Sequence, residues 1–338
     1  MKKFKKLKIT GIILGSILVF FLLINVIPPK KVMKTNPFIS TSGLPMLCAH
    51  RGGGRSNPEN TLKAYKASVQ DYGTQIVESD LYMTKDGYLV YNHNAYINET
   101  SDVEERLGTT EKVYIEDLNL DELKDFNFGY KFQDKDGNYP YRNLEGLDND
   151  STRKDVLKAN DIQIITAEEL FKAFYETHKD LLFIVEIKND GERGFQAADI
   201  LADLLFNKYP DYKERVVIGT FHDDVQQYLK DNYSNPRLLT GASTGGAAGF
   251  VITQMLGVNL FNNPSFVCLQ IPMAYDIKGV NIKLDKKTYI KRAHRRNIAV
   301  QYWTINEEED MRHLIDLGCD AIMTDDPELL KTVLDSYK

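Results

Sequence analysis

The chain has 338 residues, of which 42 are Lys or Arg and 48 are Asp or Glu. The first 34 residues hold eight Lys and no acid, so the remainder carries 34 basic against 48 acidic residues, a formal charge of −14. A body this acidic argues against a nucleic-acid-binding protein, which needs clustered positive charge. With 43% hydrophobic residues and only three Cys, it is neither disordered nor a small disulfide-stapled scaffold.

The N-terminal region has the pattern of a membrane anchor. Residues 9–27 are uncharged and apolar and follow a basic sequence. Their length matches the roughly 20 residues that cross a bilayer and exceeds the about 7–15 apolar residues of a signal peptide. We therefore predict a basic tail at 1–8, a transmembrane anchor at 9–27, a linker at 28–45 and a catalytic domain at 46–338. A long cleaved signal peptide is the alternative interpretation.

The distribution of Lys around the apolar run predicts its orientation. Five Lys precede it and three follow it (Lys30, Lys31 and Lys34). Because positively charged flanks stay in the cytoplasm, we expect a single-pass cell-membrane protein with a cytoplasmic N-terminus and an extracellular catalytic domain. The cleaved signal peptide would export the domain as well.

Beyond the linker, short apolar runs alternate with amphipathic helical patterns. The predicted strands are Met46–Ala49, Ile76–Leu81, Tyr88–Asn92, Leu182–Ile187, Val216–Thr220, Leu238–Gly241, Val267–Ile271, Ala299–Trp303 and Ala321–Thr324. The predicted helices are Pro58–Tyr72, Thr166–His178, Arg193–Tyr209, Asp223–Tyr233, Asp285–Arg296, Glu307–Leu317 and Pro327–Tyr337. This alternation predicts an α/β fold, a parallel (β/α)8 TIM-type barrel. Since there are nine strand candidates, one belongs to a hairpin whose turn is Thr84–Gly87.

Two segments depart from the alternation. Residues 94–160 are polar and rich in Asp, Asn and Tyr, which predicts an insertion on one face of the barrel. Residues 242–265 are Gly-rich and then apolar. We expect a helix that covers the barrel there, and a lip that touches lipid or substrate is the alternative.

Charged side chains cluster at the predicted strand ends. They are His50, Arg51, Glu78, Asp80, His93, Glu186 and Lys188. Because residues two apart in a strand point the same way, Glu78 and Asp80 project into one space, as do Glu186 and Lys188. Buried like charges repel, and a divalent cation held by the three carboxylates resolves this repulsion. A set of mutual salt bridges is the competing interpretation.

The remaining groups favour phosphate chemistry. Arg51 and Lys188 would face an anion, and a metal beside them would polarise a phosphoryl oxygen. His50 and His93 titrate near neutral pH and suit general acid and base roles. The residues alone therefore predict a metal-assisted site that cleaves a phosphoester.

The motifs are also recognisable as a set. His50-Arg51-Gly52, Pro58-Glu59-Asn60-Thr61, Glu78-Ser79-Asp80, Thr84-Lys85-Asp86-Gly87 and His93 resemble the glycerophosphodiester phosphodiesterase family. Glu186-Ile187-Lys188, Trp303-Thr304-Ile305-Asn306 and Thr324-Asp325-Asp326-Pro327 resemble its later motifs, in the same order. The resemblance spans about residues 46–338.

This resemblance implies a TIM-type barrel that hydrolyses glycerophosphodiesters to glycerol phosphate and an alcohol with one divalent metal, Ca²⁺ or Mg²⁺. By position, it implies metal ligands Glu78, Asp80 and Glu186, a catalytic pair His50 and His93, and phosphate contacts from Arg51 and Lys188. Trp303, at a strand end, is expected to line the substrate pocket, with a core position as its alternative. The family usually has Asp after the second His, where this chain has Asn94. Because strand neighbours point to opposite sides, we do not expect Asn94 to bind the metal.

Three functions are weighed for the exported domain. The first is the phosphodiesterase, acting on lipid-derived diesters or on teichoic-type glycerol-phosphate polymers. The second is a phospholipase C or D on intact lipid, which the apolar stretch around 250–261 keeps open. The third is an inactive barrel that serves as a membrane-tethered binding module, and the presence of both His and all three carboxylates speaks against it.

Overall fold

The computed structural model describes residues 2–338, with the side chains of all but residues 2–7 and 277. The strands are β1 (Met46–Ala49), β2 (Ile76–Met83), β3 (Leu89–Tyr91), β4 (Leu182–Ile187), β5 (Val216–Gly219), β6 (Leu239–Thr240), β7 (Cys268–Ile271), β8 (Ala274–Ile277), β9 (Val280–Lys283), β10 (Ala299–Tyr302) and β11 (Ala321–Thr324). The α-helices are α1 (Lys2–Val26), α2 (Leu62–Tyr72), α3 (Val103–Leu107), α4 (Leu120–Leu123), α5 (Asp150–Ala159), α6 (Ala167–Phe174), α7 (Gly191–Asp203), α8 (Asp223–Asn232), α9 (Thr244–Met255), α10 (Lys287–His294), α11 (Glu308–Leu317) and α12 (Pro327–Asp335).

The predicted (β/α)8 barrel is confirmed. Among residues 2–338, eight parallel strands pair in the order β6-β5-β4-β2-β1-β11-β10-β7. A parallel bridge between Gly241 and Cys268 joins the two ends of this order and nearly closes the barrel. The strands carry near-continuous hydrophobic side chains because one face packs on the helices and the other fills the interior. Interior side chains include Cys48, Ile184 and Val217.

The predicted hairpin is confirmed as well. β3 pairs antiparallel with β2, and Gly87 N–H donates to the Thr84 carbonyl at 3.2 Å within the turn. The sequence did not predict the second hairpin, β8–β9, in which Lys278 and Gly279 adopt positive φ.

The first barrel helix begins later than predicted. The sequence predicted Pro58 as its first residue, but α2 starts at Leu62. The Thr61 side chain accepts from Ala64 N–H and is the actual cap. Asn60 has φ of 56°, outside the helical region, so the preceding residues form a separate turn that brings Glu59 beside Arg51.

The segments around the barrel have defined places. Phe38 is fully buried with the interior side chains, and the Asn36 side chain donates to the Val267 carbonyl at 2.8 Å, so this part of residues 28–45 covers the barrel end where strands begin. Residues 94–160 form α3, α4 and α5 around two small clusters, one of which is Leu147, Leu157 and Ile162. The helix expected within residues 242–265 is α9.

Candidate active site

A turn after β1 places two of the predicted site residues at the barrel mouth. His50–Gly52 form one turn of 3-10 helix, in which Arg51 and Gly52 have φ of 53° and 82°. A Cβ on Gly52 would lie only 2.8 Å from the Cβ of Ala64, so this close approach to α2 requires glycine. The turn therefore directs His50 and Arg51 towards the carboxyl ends of the strands.

Strand register brings the three carboxylates together. Asp80 on β2 lies directly opposite Glu186 on β4, and Glu78 is two residues earlier on the same side of β2. One ligand oxygen from each of these three side chains lies within 4.8 Å of the other two. The grouping predicted from the strand ends is thus present in the fold.

All eight predicted site residues line one pocket at the carboxyl ends of the strands. Its volume is about 200 Å³, below the roughly 300–1,000 Å³ of pockets for drug-sized ligands. The eight residues are His50, Arg51, Glu78, Asp80, His93, Glu186, Lys188 and Trp303. The pocket size suits a small polar molecule.

Lys188 and Arg51 each form ion pairs with two carboxylates of the site. Lys188 Nζ lies 3.1 Å from Asp80 Oδ1 and 2.9 Å from Glu186 Oε1. Arg51 Nε lies 3.1 Å from Asp80 Oδ2, and its Nη1 lies 3.3 Å from Glu59 Oε2. Desolvation opposes ionisation of Asp80, but Lys188 and Arg51 outweigh it and lower the pKa of this carboxyl. Asp80 is therefore the best neutralised of the three acids.

Glu78 is the one carboxylate of the three whose charge no Lys or Arg side chain balances in the described residues. It accepts the Arg51 backbone N–H at 2.9 Å and lies 3.9 Å from His50 Nε2, and the described residues give it no Lys or Arg ion pair. Burial and then the Asp80 charge raise its pKa to about 8. The salt bridges predicted as the alternative to a bound cation are present, but none of them neutralises the charge of Glu78.

The donor set therefore fits one divalent metal ion. Carboxylate oxygens are the ligands that Ca²⁺ and Mg²⁺ prefer. A cation bound by Glu78, Asp80 and Glu186 would supply the positive charge that the buried Glu78 lacks. The side chains of Glu78 and Asp80 are almost completely buried, so bulk water does not screen their charges.

The two His residues have opposite electrostatic environments. His50 Nδ1 lies 2.6 Å from Asp325 Oδ1, which leaves Nε2 on the pocket side. Burial opposes its protonation, but the Glu78 charge and the bond to Asp325 outweigh burial and raise the pKa of His50. Burial lowers the pKa of His93, and Arg51 and Lys188 add to this effect while Asp80 only partly offsets it. Such divergent pKa values are typical of an acid and base pair.

The structure gives contacts to three residues that the sequence analysis quoted only within motifs (Asp325, Asn306 and Asn60), and it adds Phe221. Asp325 orients His50, and Asn306 in turn donates to Asp325 Oδ2 at 2.7 Å. Asn60 Nδ2 lies 3.4 Å from Asp80 Oδ2. Phe221 lines the pocket and makes an edge contact with Trp303, with ring centroids 6.3 Å apart. Asp325 directly follows the last strand, and this position at a strand end could have identified it as a site residue from the sequence.

Asn94 and His222 lie near the pocket but are not among the residues that line it. His222 Nε2 is 3.0 Å from the Lys188 carbonyl oxygen, so it supports the backbone of the strand end. The Asn94 side chain donates to Glu99 Oε2 at 2.7 Å and points into the insertion. This agrees with the expectation that Asn94 does not join the carboxylate cluster.

Comparisons with known proteins agree on one family. The model of the glycerophosphoryl diester phosphodiesterase family matches residues 50–329. A glycerophosphodiester phosphodiesterase of Caldanaerobacter subterraneus subsp. tengcongensis is 26% identical over 287 residues, which cover 84% of this chain and 96% of that protein. A lysophospholipase D of Mus musculus is 25% identical and covers 86% of each chain.

Solved structures share the fold. A glycerophosphoryl diester phosphodiesterase domain from Mycobacterium tuberculosis has a TM-score of 0.64 at 16% identity and covers 85% of this chain and 98% of that one. An Oleispira antarctica phosphodiesterase in complex with the product sn-glycerol-3-phosphate has a TM-score of 0.58 at 20% identity, covering 87% and 98%.

Proposed function

Since this chain belongs to the glycerophosphoryl diester phosphodiesterase family and is a phosphoric diester hydrolase, we propose that its pocket hydrolyses glycerophosphodiesters to glycerol phosphate and an alcohol with one divalent metal. The observation that carries the proposal is the convergence of three carboxylates, two cations and two His in a pocket of about 200 Å³. The product complex of the Oleispira antarctica relative supports the same substrate class.

Glu78, Asp80 and Glu186 would hold the metal, which is Ca²⁺ or Mg²⁺ in this proposal. When bound, such an ion polarises a phosphoryl oxygen and neutralises charge that develops in the transition state. Arg51 and Lys188 both line the pocket and would supply positive charge to the phosphate oxygens. Trp303 and Phe221 form an apolar wall against the carbon atoms of the substrate.

The two His residues divide the proton transfers. His93, whose pKa is lowered, is neutral at pH 7 and accepts the proton of the attacking oxygen, from water or from the neighbouring glycerol hydroxyl. Attack by the glycerol hydroxyl would give a cyclic phosphate, which a water molecule then opens to glycerol phosphate. As the new P–O bond forms, the P–O bond to the alcohol breaks. His50, whose pKa is raised, gives its proton to the departing alkoxide through Nε2. Asp325 is a positioning residue for His50 because it touches only the far side of the ring.

The direct test uses the full chain in detergent with glycerophosphocholine as substrate. We expect release of glycerol phosphate that a chelator stops and that added Ca²⁺ or Mg²⁺ restores. No release with either metal would refute the proposal for this substrate. A panel of other head groups and a glycerol-phosphate polymer would then define which alcohol leaves.

A bell-shaped pH dependence of kcat/KM is expected. Activity needs neutral His93, so it falls as pH drops below a pKa that lies under 6.5; it also needs protonated His50, so it falls as pH rises above a pKa that lies over 6.5. Replacing Asp325 with Asn removes a charge that raises the pKa of His50 and should move only the alkaline limb, to lower pH. The matched control is Asp326→Asn, because Asp326 caps α12 at Leu329 N–H and Asn caps helices equally well. An unmoved alkaline limb in Asp325→Asn would exclude His50 as the acid.

The location of the enzyme is a further part of the proposal. Residues 1–8 would be cytoplasmic and residues 9–27 would span the membrane. Residues 28–45 would link this span to the catalytic domain, residues 46–338, outside the cell. Supporting this, Lys8–Val26 form a helix with a mean hydropathy of 2.5, and only 6% of it is buried by the protein. Protease added to intact cells should remove the catalytic domain, and a protected domain would reverse the proposed orientation.

A second candidate is lysophospholipase D activity. It is favoured by the Mus musculus relative and by Phe221, which is exposed at the pocket mouth beside Trp303 and could contact an acyl chain. Comparing turnover of lysophosphatidylcholine with that of glycerophosphocholine separates the two activities. Faster turnover of the lysolipid would replace the leading proposal.

A further inference from the structure

The C-terminal end of α1 is fastened to the barrel. The Arg295 guanidinium donates to the carbonyl oxygens of Asn25, Val26 and Ile27 at 2.7, 3.2 and 2.9 Å. A cation at these last carbonyls also interacts favourably with the helix dipole. Arg292 donates to the Asn25 side chain at 3.2 Å, so the anchor meets the barrel beside the C-terminal end of α10.

An aromatic contact places Phe261 at the level of Phe20 along α1. Phe261 stacks on Phe20, with ring centroids 6.3 Å apart and planes inclined by 17°. Phe20 precedes the end of α1 at Val26 by six residues, which is about 9 Å of helix. The 19 residues from Lys8 to Val26 are just long enough for a hydrocarbon core of about 30 Å. A side chain level with Phe20 would therefore lie below the bilayer surface.

The same part of the barrel exposes large apolar side chains. We call Ile252, Met255, Leu256 and Phe261 the apolar shoulder; their exposed fractions are 54%, 61%, 63% and 65%. The sequence from Leu238 to Tyr275 contains no charged residue. Several large apolar side chains exposed within ten residues are typical of an interaction site.

Basic residues lie near the same end of the barrel. A groove of about 440 Å³ is lined by Lys30, Lys31, Lys230 and Arg237, and no acid lines it among the described residues. The Arg237 guanidinium donates to the carbonyls of Val32 and Ser265 and has no acidic partner in the described part of the chain. Unpaired cations beside an anchor attract anionic lipid head groups.

We propose that the apolar shoulder inserts into the bilayer beside α1, with the basic groove at the level of anionic head groups. The bilayer is favoured over a second copy of the chain because the shoulder continues the lipid-facing surface of α1 through the stacking of Phe261 on Phe20. This inference rests on the proposed anchoring by residues 9–27. It adds a second membrane contact to that of α1.

The chain has a single Trp, Trp303 in the pocket, and this permits a clean test. In a Trp303→Phe background, one Trp is introduced at a time: Phe261→Trp in the shoulder, Ile13→Trp in α1, and Phe221→Trp at the pocket mouth as the matched exposed control. Each full-length variant is reconstituted in vesicles of brominated phosphatidylcholine with or without phosphatidylglycerol. Thermal unfolding followed by circular dichroism checks that each variant folds.

We expect bromine to quench more than half of the fluorescence in the Ile13→Trp and Phe261→Trp variants and to leave the Phe221→Trp variant nearly unchanged. Quenching at Ile13→Trp alone would keep the anchor and overturn insertion of the shoulder. In that case, cross-linking would show whether a second copy covers it. Quenching at neither position would overturn both the anchoring and the shoulder. Equal quenching at positions 261 and 221 would also overturn the proposed orientation.

Discussion

The Glu78→Gln variant is expected to lose turnover by about 1,000-fold or more, together with detectable binding of the divalent metal. Gln keeps the shape of the side chain and can still accept the Arg51 N–H, but it offers the metal a neutral oxygen. Metal catalysis contributes several kcal/mol to such reactions, which is about three orders of magnitude in rate. Titration calorimetry with Ca²⁺ and Mg²⁺ and a turnover assay measure the two losses.

Stability should respond differently from activity in the same variant. Because burial and Asp80 raise the pKa of Glu78, the charged form of this side chain is disfavoured in the metal-free protein. The melting temperature of metal-free Glu78→Gln should therefore be no lower than that of the parent chain. Glu59→Gln is the matched control, since Glu59 pairs with Arg51 outside the carboxylate cluster and its replacement should leave metal affinity nearly unchanged. Equal loss of metal affinity in both variants would mean that the site is misassigned.

Replacing His50 with Gln should slow hydrolysis of glycerophosphocholine by about 100- to 10,000-fold, the range typical for loss of a general acid or base. The physical reason is that an alkoxide of high pKa leaves poorly unless it is protonated. A substrate with p-nitrophenol in place of choline has a good leaving group and should restore most of the rate of the His50→Gln variant.

The contrast with His93 makes this test specific. His93→Gln removes the proposed base, so the activated leaving group should give little rescue. His222→Ala is the control, because the His222 ring contacts the Lys188 carbonyl from outside the pocket lining, and little effect is expected. Rescue of both pocket variants, or of neither, would refute the division of roles between His50 and His93.

Sequence patterns predicted the barrel well because its strands are buried on both sides. β2 and β4 read as near-continuous hydrophobic runs interrupted by Glu78, Asp80 and Glu186, and these interruptions marked the site. The same reasoning misplaced the start of α2, because Pro58 is typical of a first helical turn. Asn60 at positive φ instead serves the site by contacting Asp80, a tertiary reason that local preference does not contain.

Contacts between segments that are distant in the sequence could not be predicted from sequence patterns. The pairing of His50 with Asp325 joins residues 275 positions apart, and only the adjacency of β1 and β11 brings them together. The contact of Phe20 with Phe261 likewise depends on how α1 meets the barrel. Composition predicted that both segments were apolar, but it contained no information on their mutual position.

The direction of α9 determines how far the enzyme can reach. Ala242, which lines the pocket, lies just before the start of this helix, and Met255 at its end belongs to the apolar shoulder. These 13 positions correspond to up to about 20 Å, whereas the polar layer of one leaflet is only about 5–7 Å thick. With the far end of α9 held in lipid, as proposed, the pocket would open into the aqueous space above the polar layer. Under the proposed insertion, phosphates still embedded in that leaflet would be out of range, which would favour diesters already stripped of both fatty acids.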